Sequence, residues 1–138
     1  MRLSTLFVAD HAEMSDGRLY VCGGGWDLLR VAELPTLLPR LCLVMGLTST
    51  WRRGVDVEVE LLDGSGGSVL PEPMTGTVEP LVMTPVDAAE ETTVVTVVTL
   101  EGLPITRRGQ MWWVVSVQGA EIGRLGFRVF APVTAAAG

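Results

Sequence analysis

The segment VDVEVELL, residues 55–62, carries the clearest pattern in the sequence. Valine or leucine occupies every second position from 55 to 61, and acidic residues stand between them. Successive side chains of a β-strand point to opposite faces, so this alternation predicts a strand with one buried and one solvated face. The acidic row Asp56, Glu58 and Glu60 then lies along the solvated face. Residues two apart in a strand are about 6–7 Å apart, so these carboxylates do not converge as calcium ligands would.

Similar β signals continue on both sides of this segment. Strands are predicted at residues 3–12, 18–24, 40–49, 92–100, 110–118 and 122–130, and Asp16-Gly17 and Asp63–Gly67 are turn signals. The stretches 40–49 and 92–100 are apolar on both faces, and the second is almost wholly β-branched. Short strands separated by turn signals are typical of a sandwich or a barrel. We therefore predict an all-β, antiparallel two-sheet β-sandwich of about eight or nine strands.

Two proline-containing stretches interrupt the regular strands. Residues 27–39 contain Pro35 and Pro39, which exclude a long helix, and we interpret this stretch as a crossover loop between the sheets. Residues 71–91 contain four prolines. Proline cannot donate to a central ladder, so edge strands and loops are expected there. The domain is predicted to span residues 1–131, followed by a flexible tail at 132–138.

The composition predicts a surface with exposed apolar side chains. Hydrophobic residues make up 48% of the 138 residues, the mean hydropathy is +0.40, and only 19% of residues are charged. A lone domain of this kind tends to expose apolar surface. We therefore expect a non-enzymatic structural or protein-interaction domain that self-associates as a homo-oligomer. Its partner is predicted to be a second copy or another protein.

The net charge argues against nucleic-acid and membrane partners, and the N-terminal sequence argues against export. The net charge of −6 disfavours nucleic acid and anionic membrane surfaces. The apolar run at residues 6–9 is too short for a signal-peptide core, and no stretch is long enough to span a membrane. These features predict a cytoplasmic protein. Cys22 and Cys42 form no CxxC pair, and both are predicted to be reduced and buried.

Two short motifs resemble functional sites, and neither fits one well. Gly23-Gly24-Gly25 lacks the lysine of a phosphate-binding loop and is followed by Trp26 and Asp27, so backbone crowding, a bulge or packing of Trp26 is the preferred interpretation. Asp10, His11 and Glu13 form the only acid–imidazole cluster. On a strand, His11 and Asp10 face opposite ways, so His11 is interpreted as a surface residue at a strand end. We predict no catalytic residue, metal or cofactor.

The closing hairpin, residues 110–130, predicts a candidate interface. A three-residue loop, Gly119–Glu121, would set Trp113 opposite Phe127 and Val115 opposite Leu125, with both pairs in the core. The outer face would then hold Trp112 opposite Arg128. The candidate interface residues are Trp112, Arg128, Arg124 and Val114. An aromatic residue beside arginine is a typical interface anchor.

The four tryptophans also permit a function of another class. These are Trp26, Trp51, Trp112 and Trp113. A sandwich with a row of exposed aromatic residues can bind carbohydrate or another small molecule by stacking. Such a module would show converging aromatic residues in a groove, whereas an assembly protein would show a flat apolar patch.

Three segments resemble a family of small, mainly actinobacterial proteins, a domain of unknown function. They are LFVADHAE at 6–13, DGRLYVCGGGWD at 16–27 and WWVVSVQGAEIGRLGFRVF at 112–130. The resemblance implies a β-sandwich. It implies no activity and no catalytic residue.

Overall fold

The computed structural model describes residues 1–81 and 89–132. Part of the proline-rich stretch and all but the first residue of the predicted tail lie outside these ranges. The described residues form nine strands: β1 (Arg2–Ser15), β2 (Arg18–Gly24), β3 (Leu28–Arg30), β4 (Thr36–Ser49), β5 (Val55–Asp63), β6 (Met74–Val78), β7 (Thr92–Ile105), β8 (Gly109–Val117) and β9 (Ala120–Phe130). The prediction of an all-β chain with about nine strands is confirmed.

The strands form two sheets. Sheet A has four strands in the order β2-β1-β4-β7, and sheet B has five in the order β3-β9-β8-β5-β6. The arrangement is sandwich-like, with sheet B curled like half a barrel. The core between the sheets includes Leu43 and Met45 of sheet A, and Val59, Trp113 and Phe127 of sheet B.

The two best sequence patterns lie where they were expected. Val55, Val57, Val59 and Leu61 on β5 are all buried, while Asp56 is exposed. Strand β4 is buried on both faces from Leu41 to Thr48. Its inner face packs on sheet B, and side chains from the flanking strands β1 and β7 surround its outer face. Strand β6 is the edge strand expected in the proline-rich stretch.

The interpretation of residues 27–39 as a crossover loop is wrong at both ends. Leu28–Arg30 forms β3, which pairs in parallel with β9, so sheet B is not wholly antiparallel. Strand β4 begins at Thr36 and includes Pro39. Proline is tolerated there because the β1–β4 pairing ends at Cys42, so β4 has a ladder partner on only one side at Pro39.

The predicted register of the closing hairpin is also wrong. Gln118 and Gly119, both with positive φ, form a two-residue turn, and a bulge follows between Ser116 and Val115. Trp113 therefore pairs with Leu125 rather than with Phe127. Without the extra residue in β9, this turn would place Arg124 opposite Trp113 in the core. The bulge moves Arg124 opposite Val114, so each side chain keeps its predicted face.

Candidate interaction surfaces

The outer face of sheet A, which points away from sheet B, carries a second apolar cluster. Ala9, Cys42 and Val44 are fully buried at its centre, and the half-buried side chains around them come from strands β1, β2 and β7. We call this cluster the outer patch; it consists of Phe7, Ala9, Ala12, Leu19, Cys42, Val44, Val95 and Val97. No member is charged, so the patch is apolar across the width of sheet A.

Polar pairs mark the two ends of the outer patch. At one end Arg40 lies opposite Glu101 in the β4–β7 register. At the other end the Thr48 hydroxyl donates to Ser4 Oγ (2.9 Å) and lies 2.7 Å from Thr93 Oγ1. The surface between these ends is free of charge along β4 and β7.

Gly24 extends the outer patch toward the β2 edge. A Cβ atom at Gly24 would lie 2.6 Å from Val21 Cγ1 and 3.5 Å from the Phe7 ring. The absence of a side chain therefore lets Val21 approach Phe7. Val21 pairs with Ala12 on the same face and is 39% exposed, so it forms an accessible rim of the patch.

The two cysteines occupy different environments. Cys42 is buried in the outer patch, with Sγ 3.8 Å from the Ala12 carbonyl oxygen and 3.5 Å from Thr99 Oγ1. Cys22 is exposed, so the prediction that both are buried is wrong for this residue. It lies on edge strand β2 opposite His11, on the face away from the outer patch, where sheet B does not cover it. Both thiols are free.

The outer face of sheet B brings the four candidate interface residues together. Val114 pairs with Arg124, and Trp112 pairs with Gly126 instead of the predicted Arg128. The Arg124 guanidinium carbon lies 5.8 Å from the centre of the Trp112 ring. Trp112 is half-buried and Trp113 is fully buried, so the predicted faces of both tryptophans are correct. Whether these residues form an interface stays a prediction.

Charged and polar groups surround Trp112. Arg124 also forms a bidentate ion pair with Glu121, which lowers the pKa of the Glu121 carboxyl and raises that of the guanidinium. Gln110 Nε2 donates to the carbonyl oxygens of Met111 and Phe127. This face is therefore more polar than the outer patch.

The acid–imidazole cluster does not form a catalytic set. His11 is half-buried within β1 and not at a strand end, and its Nδ1 is buried without a hydrogen-bond partner among the described residues. The Asp10 side chain instead occupies the space above Gly23, where a Cβ atom would lie 2.3 Å from Asp10 Oδ2. The glycine run thus accommodates Asp10 and Val21, which supports the crowding interpretation. Trp26 packs edge-on against Phe127.

The remaining candidates are dispersed. Within residues 1–81 and 89–132, no three His, Cys, Asp or Glu side chains lie close enough together to hold a metal ion. Asp56 accepts a hydrogen bond from Thr77 and lines a shallow polar groove with Glu58 and Ser116. Trp51 and Trp113 are buried and Trp26 packs against the core, so the tryptophans do not form an exposed row.

These surfaces define an all-β domain with one apolar outer sheet face and no converging polar site among the described residues. The chain belongs to DUF6941, a family of unknown function whose model matches residues 4–130. No curated protein sequence matches the chain. Across 1–81 and 89–132 there is no helix with the length and apolar character needed to cross a membrane.

A structure of Pseudomonas fluorescens alkylpurine DNA glycosylase AlkC, bound to DNA containing an abasic site analogue, is weakly similar, with a TM-score of 0.41 and 13% identity. The match covers 90% of this chain and 30% of that chain. The chain therefore spans less than a third of the enzyme's length.

Proposed function

We propose that this chain is a non-enzymatic interaction domain that self-associates by packing its outer patch against that of a second copy. The observation that carries the proposal is the uncharged outer face of sheet A. An antiparallel sheet needs only one apolar face to pack on its core, so a second apolar face calls for a second partner. A second copy supplies a matching face, as a two-fold dimer requires.

The size of the outer patch predicts a weak dimer. From strand spacing and rise, the patch covers roughly 300 Å² per copy, or about 600 Å² in a two-fold contact. Stable interfaces bury at least about 1,200 Å² in total. The contact therefore belongs to the transient class, and association is expected to depend on concentration.

The pKa pattern supports the non-enzymatic part of the proposal. The pKa values of Asp63, Glu121 and Arg124 are shifted; Glu121 and Arg124 are exposed, and Asp63 is half-buried in the turn after β5. Local hydrogen bonds and ion pairs account for these shifts. Active sites instead tend to bring perturbed groups together in a cleft. The cytoplasmic location and the absence of a nucleic-acid partner stay predictions from the sequence.

The second candidate is the outer face of sheet B. Trp112 lies in a shallow depression of about 500 Å³ with Asp27, Gln110 and Arg128. This combination of an indole ring with polar side chains favours a small-molecule or carbohydrate site, or the tryptophan-anchored interface predicted from the sequence. Arg124 already lies over the Trp112 ring, which reduces the face free for stacking.

Sedimentation equilibrium over a range of micromolar to submillimolar concentrations tests the proposal. We expect the apparent mass to rise above 14.8 kDa with concentration. Val21→Lys puts a charge at the rim of the outer patch and should remove the part of the rise that this contact causes. Tyr20→Lys is the matched control, because Tyr20 is the neighbouring residue on the opposite face of β2 and is 52% exposed.

A constant monomer mass at every concentration would contradict the proposal. Loss of association in Trp112→Ala but not in Val21→Lys would move the contact to sheet B. Circular dichroism of each variant shows whether the fold is retained.

A further inference from the structure

We infer that β7 pairs edge to edge with β7 of a second copy, antiparallel and centred on Thr96, to form a continuous eight-stranded sheet. This contact goes beyond the packing of outer patches proposed above, and either contact can exist without the other. It is carried by a different observation, the unpaired edge of β7.

Strand β7 is the last strand of sheet A. One side pairs with β4 along its whole length, from Thr92 opposite Ser49 to Ile105 opposite Thr36. No strand from the described parts of the chain, 1–81 and 89–132, pairs with the other side. Its free backbone groups can therefore accept another strand.

Only the second part of β7 carries the features that normally protect a sheet edge. Glu101 supplies a charge, Gly102 has a φ of +70°, and Pro104 lacks an N–H group. Charges, irregular backbone and proline are the usual means of blocking edge pairing. Residues 92–100 contain none of them. The Thr92 carbonyl oxygen accepts a hydrogen bond from Trp51 Nε1, so the eight residues 93–100 stay open to pairing.

The sequence of this open part identifies the partner as a second copy. Residues 93–99 read TVVTVVT, which is the same in both directions about Thr96. In an antiparallel pair related by a two-fold axis at Thr96, each residue faces one of its own type. Val95 faces Val97 of the second copy, Val94 faces its Val98, and Thr93 faces its Thr99.

This register also keeps each face of the joined sheet uniform. Val95 and Val97 lie on the outer face in both copies, while Val94, Thr96 and Val98 lie on the core side. Centring the pair on Val95 or Val97 would set valine against threonine on both sides of the axis. Cross-strand pairs of like β-branched residues are favourable, so the Thr96-centred register is preferred.

The core side of β7 is incompletely covered at the same place. An apolar cleft of about 120 Å³ lies between β6 and β7, with Thr96 and Val98 on one wall and Met74 and Val78 on the other. Strand β6 has only five residues and does not cover the longer β7. Val94 and Val98 of a second copy would lie next to this opening and extend its apolar wall.

Disulfide crosslinking tests the register. In a background that carries Cys22→Ser and Cys42→Ala, Thr93→Cys is mixed with an affinity-tagged Thr99→Cys and oxidised. The second replacement is needed because Cys42 Sγ lies 3.5 Å from Thr99 Oγ1 and could form a disulfide within the same chain. Directly opposed residues have Cβ atoms about 4.5–5.5 Å apart, close to disulfide geometry. We expect a reducible dimer band in the mixture. Thr93 and Thr99 are both exposed, so neither change disturbs the core.

Each single variant is the matched control. Two copies of Thr93 would lie six residues apart along the paired strands, about 20 Å, so Thr93→Cys alone should not crosslink. Thr99→Cys alone should fail for the same reason. Thr96→Cys alone should crosslink, because Thr96 faces itself at the axis.

Equal crosslinking in the mixture and in the single variants would overturn the inference, as would its absence throughout. If sedimentation shows a dimer that Val21→Lys abolishes and no crosslink forms, only the β7 contact fails. If the crosslinks form and Val21→Lys leaves the rise in apparent mass unchanged, the outer-patch proposal fails and the β7 contact stands. A monomer at every concentration overturns both.

Discussion

Arg124 lies over the indole ring of Trp112, and both side chains project from the outer face of sheet B. The adjacent Trp113 projects into the core and stacks on Phe127, with ring centres 6.2 Å apart. Two neighbouring tryptophans on β8 therefore differ in what they contribute to stability. One takes part in an exposed cation–π contact, and the other fills the core.

Alanine substitutions should separate the two tryptophans. Trp113→Ala leaves a large cavity and is expected to lower the free energy of unfolding by about 3–5 kcal/mol. Trp112→Ala loses a contact with arginine worth about 0.5–1 kcal/mol and should leave the fold intact. Urea unfolding of both variants gives the comparison, with Arg124→Ala as a control for the contact. A larger loss in Trp112→Ala than in Trp113→Ala would contradict the assigned faces.

Thiol labelling should distinguish the two cysteines. In the native protein we expect one thiol to react rapidly with an aromatic disulfide reagent, because Cys22 is exposed and Cys42 is buried. Two should react after unfolding without reductant. Cys22→Ser should remove the rapid reaction and leave one thiol that reacts only on unfolding. Two rapid thiols in the native protein would show that Cys42 is accessible.

The Asp63 carboxyl, in the turn after β5, should titrate at a lower pH than an ordinary aspartate. Asp63 Oδ1 accepts hydrogen bonds from the Ser65 hydroxyl (2.6 Å) and from the Ser65 and Gly67 N–H groups. These bonds, first among them the one from the Ser65 hydroxyl, lower the pKa of the Asp63 carboxyl, and Arg107 adds a smaller effect. The stabilisation is therefore present above the unfolded-state pKa and is lost as the pH falls through the folded-state pKa.

NMR titration of the carboxyl carbon measures the pKa of Asp63 directly. We expect Ser65→Ala to raise the pKa of Asp63 toward its ordinary value, because it removes the largest cause of the shift. Arg107→Ala should raise it less. An unchanged pKa in Ser65→Ala would rule out the hydroxyl as the main cause.

A single substitution in the turn between β8 and β9 should stabilise the protein. Gln118 has a φ of +53°, a conformation that costs most L-residues about 1–2 kcal/mol and that asparagine tolerates better. Gln118→Asn creates the Asn-Gly pair favoured in this turn and should stabilise the protein by about 0.5–1 kcal/mol. The expected rise in Tm is about 2–5 °C by calorimetry. Gln118→Ala, which keeps the strained φ, should give no gain.

Period-two alternation and turn chemistry were sufficient to predict most strands. The alternation at 55–62 fixed the faces of β5, and the Asp16-Gly17 pair predicted the first hairpin. The register of the last hairpin could not be predicted, because a bulge leaves no mark in the apolar pattern. Strand β3 was missed because three residues carry too little periodicity, and its pairing depends on β9, which lies about a hundred residues later.

The candidate surface was predictable only in part. The two apolar faces of 40–49 and 92–100 indicated that one sheet would have a second apolar side. The contributions of Phe7 and Leu19 were not apparent, because the order of strands within sheet A brings them to that face. Cys22 was misplaced because an apolar strand at an edge has the same sequence pattern as one in the interior.

Because β4 is apolar on both faces, hydrophobicity alone does not distinguish its correct alignment from a one-residue slip. A slip would exchange Leu43 for Val44 at the core and leave the buried apolar area nearly unchanged. Two small residues distinguish the correct alignment from the slipped one. In the slipped alignment, Thr48 would lose its hydroxyl partners Ser4 and Thr93. A side chain would also enter the narrow space at Gly46. A misaligned sheet is therefore disfavoured by these few small residues at one end of the strand and not by the apolar residues that make up most of it.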